Sequence, residues 1–407
     1  MGLGIAEGHL SYPRVILRRG KERRLLDGHP WVFSGAVGQH PDGVERGGIV
    51  DVVDSAGDFV GRGYYNPESS IPVRVLSQDD SEAIDAGFIR KRIERALQLR
   101  KAWIDQKTTN AYRVVHGESD GLPGLIVDRY ADFLVIQCHT LGIEVLRDTI
   151  VEILNELMSP TGIWERSDVG TRRAEGLTEF PTGLVAGEEP PDLIEISENR
   201  ALFGVDIRRG QKTGFFLDQR ENRITLQGFS RDREVLNCFC YTGGFSIFAA
   251  RGKAKKVVSV DVSQPAIDLV EKNLELNRFD PAAHPCIVAN VFDYLKECKA
   301  EKQYFDAVVV DPPAFVKTQR AIPQATRAYI SLNRKAIEVL RPGGILVTAS
   351  CSTQIDYESF FTIVKHAASA AGRTVQIVKS HLQAVDHPVP VSFPEGRYLK
   401  CLFGVVS

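Results

Sequence analysis

Phe305-Asp306-Ala307-Val308-Val309-Val310-Asp311-Pro312-Pro313 is a short apolar run that stops at a carboxylate and two prolines. Ile345-Leu346-Val347-Thr348-Ala349-Ser350-Cys351-Ser352 has the same form and stops at a thiol between two serines. Runs of this length, rich in Val and Ile and without polar alternation, read as strands buried on both faces of a parallel sheet. In open α/β sheets the reactive groups stand just past the carboxyl ends of the strands. A carboxylate and a thiol are therefore expected at one edge of one sheet.

Working outward, Val235–Phe239, Val257–Asp261 and Cys286–Ala289 are further strands, and helical segments separate all five. That alternation predicts a doubly wound α/β domain. Upstream, residues 14–77 form a Gly-rich series of short strands with turn signals between them, as expected of a small β-barrel. Ile84, Phe88, Ile93, Leu97 and Trp103 then recur at helical spacing, and residues 109–190 mix strands with a helix near 144–158. Pro181–Pro191 reads as a linker or surface loop, and a hairpin is expected around Ala201–Gln211. The expected divisions are 1–77, a helical connector 78–108, a middle domain 109–190 and the large α/β domain 191–407.

The bulk properties exclude more than they assign. The 407 residues, 43% hydrophobic, suffice for two or three cores. A net charge of −2 gives no global nucleic-acid signature. Seven scattered cysteines fit neither a disulfide framework nor a zinc site, so no metal is expected. No stretch reaches membrane-helix length, and the N-terminus resembles neither a leader nor a myristoylation signal, so a cytoplasmic protein is expected.

The first strand of the α/β domain runs into Asn237-Cys238-Phe239-Cys240-Tyr241-Thr242-Gly243-Gly244-Phe245. Glycines at such a turn let backbone approach a ligand and aim helix N–H groups at it. Asp261 ends the second strand, where a carboxylate can accept from ribose hydroxyls. The chain lacks the G-x-G-x-x-G triplet that a pyrophosphate requires, so an adenosyl cofactor without phosphate fits, S-adenosylmethionine above all. Asn290, at the end of the third strand, is a candidate for the adenine edge. Asp311 is a candidate to hold a pyrimidine edge and Cys351 to add to C6, which turns the poorly nucleophilic C5 into an enolate-like carbon. A helix is expected after Cys351, at Asp356–His366, and its N-terminus would lower the thiol pKa. Two rivals stand beside this reading: an N-methyltransferase acting on an exocyclic amine, which needs no thiol, and a non-catalytic RNA-binding protein.

Leu236-Asn237-Cys238-Phe239, Thr242-Gly243-Gly244-Phe245, Asp311-Pro312-Pro313 and Ser350-Cys351-Ser352 resemble the bacterial 23S rRNA cytosine-5 methyltransferase family of class I enzymes. His29-Pro30-Trp31-Val32-Phe33-Ser34-Gly35 resembles the PUA barrel of that family, and Gly117–Gly124 with Arg166-Ser167-Asp168 its middle domain. Lys212–Arg220 resembles the segment that closes over the cofactor. The resemblance implies a Rossmann-like catalytic domain, a PUA domain, a small α/β middle domain, 23S rRNA as partner and a homodimer. It also implies a cofactor set of Phe215, Phe216, Asp218, Arg220, Asn237, Phe239, Tyr241, Thr242, Gly243, Gly244, Phe245, Asp261, Val262, Ser263, Asn290, Val291, Asp311 and Pro312. Related uracil-5 enzymes carry a base glutamate several residues after a Phe-Pro motif, near where Lys400 stands here, so that base does not carry over; Glu395, directly after Phe393-Pro394, is the candidate base. Candidate RNA contacts are Arg14, Arg18, Arg19, Lys21, Arg23 and Arg24 in one basic stretch, Arg172 and Arg173 in another, and Phe315 stacking on a flipped base.

Overall fold

A computed structural model describes residues 12–315 and 319–407. The reading of the extreme N-terminus falls on residues 1–11 and lies outside the described residues. The chain forms two compact units. The first holds residues up to Ile194 together with Val205–Phe215 and Asp386–Gly396; the second holds Glu195–Gly204, Phe216–Val385 and Arg397–Ser407. Residues 191–194, 205–215 and 386–396 of the 191–407 span thus belong to the first unit.

In the first unit, a six-stranded sheet runs from Arg14–Leu17 to Val73–Ser77 and closes over Val15, Leu17, Val50, Val52, Val73 and their neighbours. Gly63 is required here, because a Cβ would stand 2.0 Å from the carbonyl oxygen of Arg74 on the paired strand. The helix Ala86–Trp103 starts where the Asp85 carboxylate accepts the Phe88 N–H. Its Phe88, Ile89, Ile93 and Ala96 pack on a five-stranded sheet whose outermost strands are Thr182–Gly187 and Ala111–His116. The Thr182–Gly187 strand corrects the expected linker. It is an edge strand, partly exposed, where flanking Gly and Pro are tolerated and the sequence signal is weak.

The hairpin also lies earlier than expected, between Ile194–Glu198 and Ala201–Val205. Its turn residues Asn199 and Arg200 both have positive φ, 50° and 66°. A two-residue turn of that kind usually contains Gly, and here none marks it.

The second unit is built on seven strands: β1 (Glu234–Cys238), β2 (Lys256–Asp261), β3 (Cys286–Val288), β4 (Phe305–Val310), β5 (Leu340–Ser350), β6 (Val375–His381) and β7 (Lys400–Val406). Their order is β3-β2-β1-β4-β5-β7-β6, with β7 antiparallel to both neighbours. Helices α1 (Gly244–Arg251), α2 (Gln264–Leu276), α3 (Val291–Ala300), α4 (Ile322–Glu338) and α5 (Tyr357–Ala370) intervene. The chain order reverses between β1 and β4, which is where such sheets open a crevice for a ligand. Val308, Val310, Leu346, Tyr329, Leu332 and Phe360 fill the core on one face of the sheet. Among the described residues no helix is long and apolar enough to cross a membrane.

Candidate active site

The turn after β1 is held under backbone strain. Phe239, Tyr241 and Gly243 all have positive φ, at 57°, 48° and 82°. Non-glycine residues in that region cost of order 1–3 kcal/mol each and cluster where a site demands a particular backbone path. The path is fixed from two sides. Asp261 accepts the Tyr241 N–H at 3.0 Å and the Ser263 N–H at 3.0 Å, which binds the end of β2 to the turn. Asn273 of α2 donates to the Thr242 carbonyl at 2.9 Å. Phe216 sets its ring edge-on to Tyr241, with centroids 5.3 Å apart.

The other named residues fall into two groups. Asn237 is a buried residue of β1 that donates to Ser246 at 2.8 Å, while Phe245 and Val291 are buried in the cores. Asn290 caps α3 by accepting the Phe292 N–H, and Ser263 caps α2. Asp218 is buried and accepts from Tyr398 at 2.7 Å. Arg220 lies near Glu198, which forms a bidentate pair with Arg223, both contacts at 2.8 Å. Phe215 belongs to the first unit, where its N–H meets the Tyr130 hydroxyl.

β4 and β5 bring Asp311 and Cys351 to the carboxyl ends of adjacent strands, with Val310 in register with Thr348. Gln219 donates to Asp311 Oδ2 at 2.9 Å. Pro312 is buried behind it. None of the seven cysteines is in a disulfide, and only Cys351 and Cys286 escape full burial. Burial pushes the Cys286 thiol up to about 11 and Cys401 well above its ordinary value. Ser350 donates to Tyr329 at 3.1 Å, and burial pushes the Tyr329 phenol up to about 12. The expected helix does follow, but α5 begins only at Tyr357, and Asp356 takes the Ser359 N–H at its N-terminus. The helix end therefore does not account for an activated thiol.

The remaining candidates need correction in part. Arg172 is 1% exposed, and its guanidinium is bonded to the Cys138 carbonyl, Glu144 and the Glu179 carbonyl. It is a structural cation in the middle sheet and no RNA contact, whereas Arg173 is exposed. Glu395 accepts from Arg24 at 3.2 Å and His29 at 3.3 Å in the first unit. Partial burial would raise its pKa, but its backbone hydrogen bond, His29 and Arg24 outweigh that and hold it low, which makes a weak base. Phe315 is half-buried against Tyr329, with ring centroids 4.7 Å apart, which commits one side of the ring to the core. Arg14, Arg18, Arg19, Lys21, Arg23 and Arg24 are exposed. Lys21, Arg23 and Arg24 line a pocket of about 500 Å³ with Trp31 and Phe33, a cationic rim beside aromatic rings.

Sequence reasoning missed Gln219, Tyr398, Tyr329, Asn273 and Lys400. Two of them left a signal: Gln219 lies within the Lys212–Arg220 segment, and Lys400 is a charge inside the apolar run Leu399–Val406.

Residues 15–78 match the PUA-like domain family, and residues 179–379 match the S-adenosylmethionine-dependent methyltransferase family. Ribosomal RNA large subunit methyltransferase I of Yersinia pseudotuberculosis is 42% identical over 388 residues, 95% of this chain and 98% of the relative. The protein of that name from Yersinia pestis matches to the same extent, 42% over 388 residues. Among solved structures, a candidate methyltransferase complexed with SAH has a TM-score of 0.84, with 24% identity over 97% of this chain and all of the other. A candidate SAM-dependent methyltransferase from Streptococcus mutans gives 0.83 at 24% identity, with the same coverage. At that identity the likeness concerns the fold.

The residues of the turn fit such a cofactor. Thr242 Oγ1 is buried with no hydrogen-bond partner among the described residues, a polar atom placed for a ligand. Val262, just past Asp261, is 73% exposed, an apolar surface suited to an adenine face.

Proposed function

The chain belongs to the ribosomal RNA large subunit methyltransferase I family, and from that premise we propose that it methylates C5 of a cytosine in large-subunit ribosomal RNA. It is an S-adenosylmethionine-dependent methyltransferase. One observation carries the choice of carbon: a partly exposed thiol, Cys351, ends β5 beside Asp311 at the end of β4, while most other cysteines are buried. Bound S-adenosylmethionine supplies an electrophilic methyl group. Tyr241, Thr242, Gly243, Asp261 and Val262 would hold it.

The chain's own residues do the rest. Asp311, oriented by Gln219, accepts from the exocyclic amine of the ring. The Cys351 sulfur adds to C6, and the electron pair displaced toward C5 makes that carbon nucleophilic. Once C5 carries the methyl group, a base removes its proton and the C6–S bond breaks, which returns the thiolate. That proton leaves to solvent water, since Glu395 is already held in an ion pair. RNA is held by the exposed basic stretch Arg14–Arg24 of the barrel, with residues 1–77, 78–108, 109–190 and 191–407 as successive functional parts of a cytoplasmic homodimer.

The test is a denaturing gel of the enzyme with large-subunit RNA containing 5-fluorocytidine. Fluorine cannot leave as a proton does, so a covalent complex should accumulate with wild-type enzyme and vanish with Cys351→Ser. A Cys351→Ser enzyme that methylates at near wild-type rate would overturn carbon methylation in favour of an exocyclic amine.

A further inference from the structure

Lys400 is the one buried lysine of the described chain, 2% exposed, at the start of β7. It lies in register with Ser350 across the β5–β7 pair, one residue from the thiol. Its ammonium donates to the carbonyl of Ser352 and to that of Tyr398 at 2.9 Å. Cys351 and the Asp356 carboxylate are the groups that partly offset its burial. A charge kept under such conditions costs stability unless something nearby uses it.

We infer that Lys400 is a positioning residue for the reaction, whose buried ammonium holds Cys351 in its thiolate form through the Ser350-Cys351-Ser352 turn. The inference rests on the carbon-methylation reading. Asp356 before α5, Asp311 after β4 and Tyr329 of α4 are neutral or negative, and the buried Cys401 of β7 is a neutral thiol. The attraction between the ammonium and the sulfur is mutual: the same pairing that supports a protonated Lys400 against burial supports the thiolate. No proton passes through Lys400. The thiol proton goes to solvent before attack, and the ammonium stays charged while the sulfur adds to C6 and later leaves.

The test is peptide-resolved alkylation of Cys351 by iodoacetamide across pH 5–10 in the intact protein, comparing wild type, Lys400→Met and Lys400→Arg. Lys400→Met should raise the midpoint of alkylation by about one pH unit or more, so that the rate at neutral pH falls roughly tenfold. Lys400→Arg keeps the charge and should restore the midpoint to near wild type. In the methylation assay, Lys400→Met should lower kcat while KM for RNA stays the same. An unchanged midpoint in Lys400→Met overturns the inference. Where Lys400→Met does not fold, Lys400→Arg decides: a midpoint shifted as far as that of a neutral environment overturns it, and a retained one supports it. Trapping on 5-fluorocytidine RNA by the wild-type enzyme tests the carbon-methylation reading separately, so the two ideas fail independently.

Discussion

Replacing Asp261 by alanine removes the carboxylate that fastens the cofactor turn to β2. Its two oxygens accept N–H groups of Tyr241 and Ser263, each at 3.0 Å, and each oxygen keeps a lone pair for a ribose hydroxyl. A hydrogen bond to a charged acceptor contributes about 1.5–3 kcal/mol. Loss of one such net contribution to the ribose weakens S-adenosylmethionine by roughly 10- to 150-fold at ~1.4 kcal/mol per decade. The turn suffers as well, because Tyr241 has φ of 48° and its N–H is left without an acceptor. Asp261→Asn separates the two effects. Its remaining carbonyl oxygen satisfies one amide while its NH₂ opposes the other, so affinity should fall between that of wild type and the alanine variant. Isothermal titration calorimetry with S-adenosylmethionine measures both, and circular dichroism checks the fold. A folded Asp261→Ala protein whose Kd lies within about twofold of wild type would refute the assignment of Asp261 to the ribose.

Other outcomes follow from the same geometry. Glu198→Gln breaks a fully buried bidentate pair with Arg223 beside Arg220 and should lower unfolding free energy by about 3–5 kcal/mol, read by urea denaturation. Gly243→Ala places a Cβ 2.9 Å from Val270 at φ of 82°, so it should weaken cofactor binding and lower Tm together; an unaffected Kd would show that the turn does not touch the ligand. Charge reversal at Arg18, Arg19 and Arg23 should flatten the salt dependence of RNA binding by roughly 0.7–0.9 per lost phosphate contact and leave cofactor affinity unchanged, and an unaltered slope would return those side chains to solvent. Burial brings the Lys400 pKa down from 10.5 to about 8 in the folded chain, partly offset by Cys351 and Asp356. The unfolded chain then binds more protons between those values, so this group makes stability rise as pH goes from 8 to 10.5. Lys400→Met should remove that rise in denaturation midpoints taken across the window, and an identical pH profile in the variant would contradict the burial argument.

The amino-acid sequence alone determined the parts whose physics is local. Val308–Val310 and Ile345–Ala349 are apolar runs rich in Val and Ile that read as buried strands, and a strand buried on both faces delivers whatever follows it to the sheet edge. Asp311, Cys351, Gly243 and Asp261 were legible for that reason. Elements whose signals are weak in one dimension were not: the edge strand Thr182–Gly187 carries little hydrophobic pattern, and the Asn199-Arg200 turn has no glycine to mark it. Only tertiary structure decided what each charge does, because a side chain's role follows from what surrounds it across distant elements. Arg172 and Arg173 are neighbours in sequence, yet one is spent on a carboxylate and two carbonyls inside the middle sheet and the other is exposed. Lys400 reads as a stray charge in a strand until the antiparallel β5–β7 pairing sets it beside Ser350 and beneath the thiol-bearing turn, where the low dielectric makes one ammonium matter.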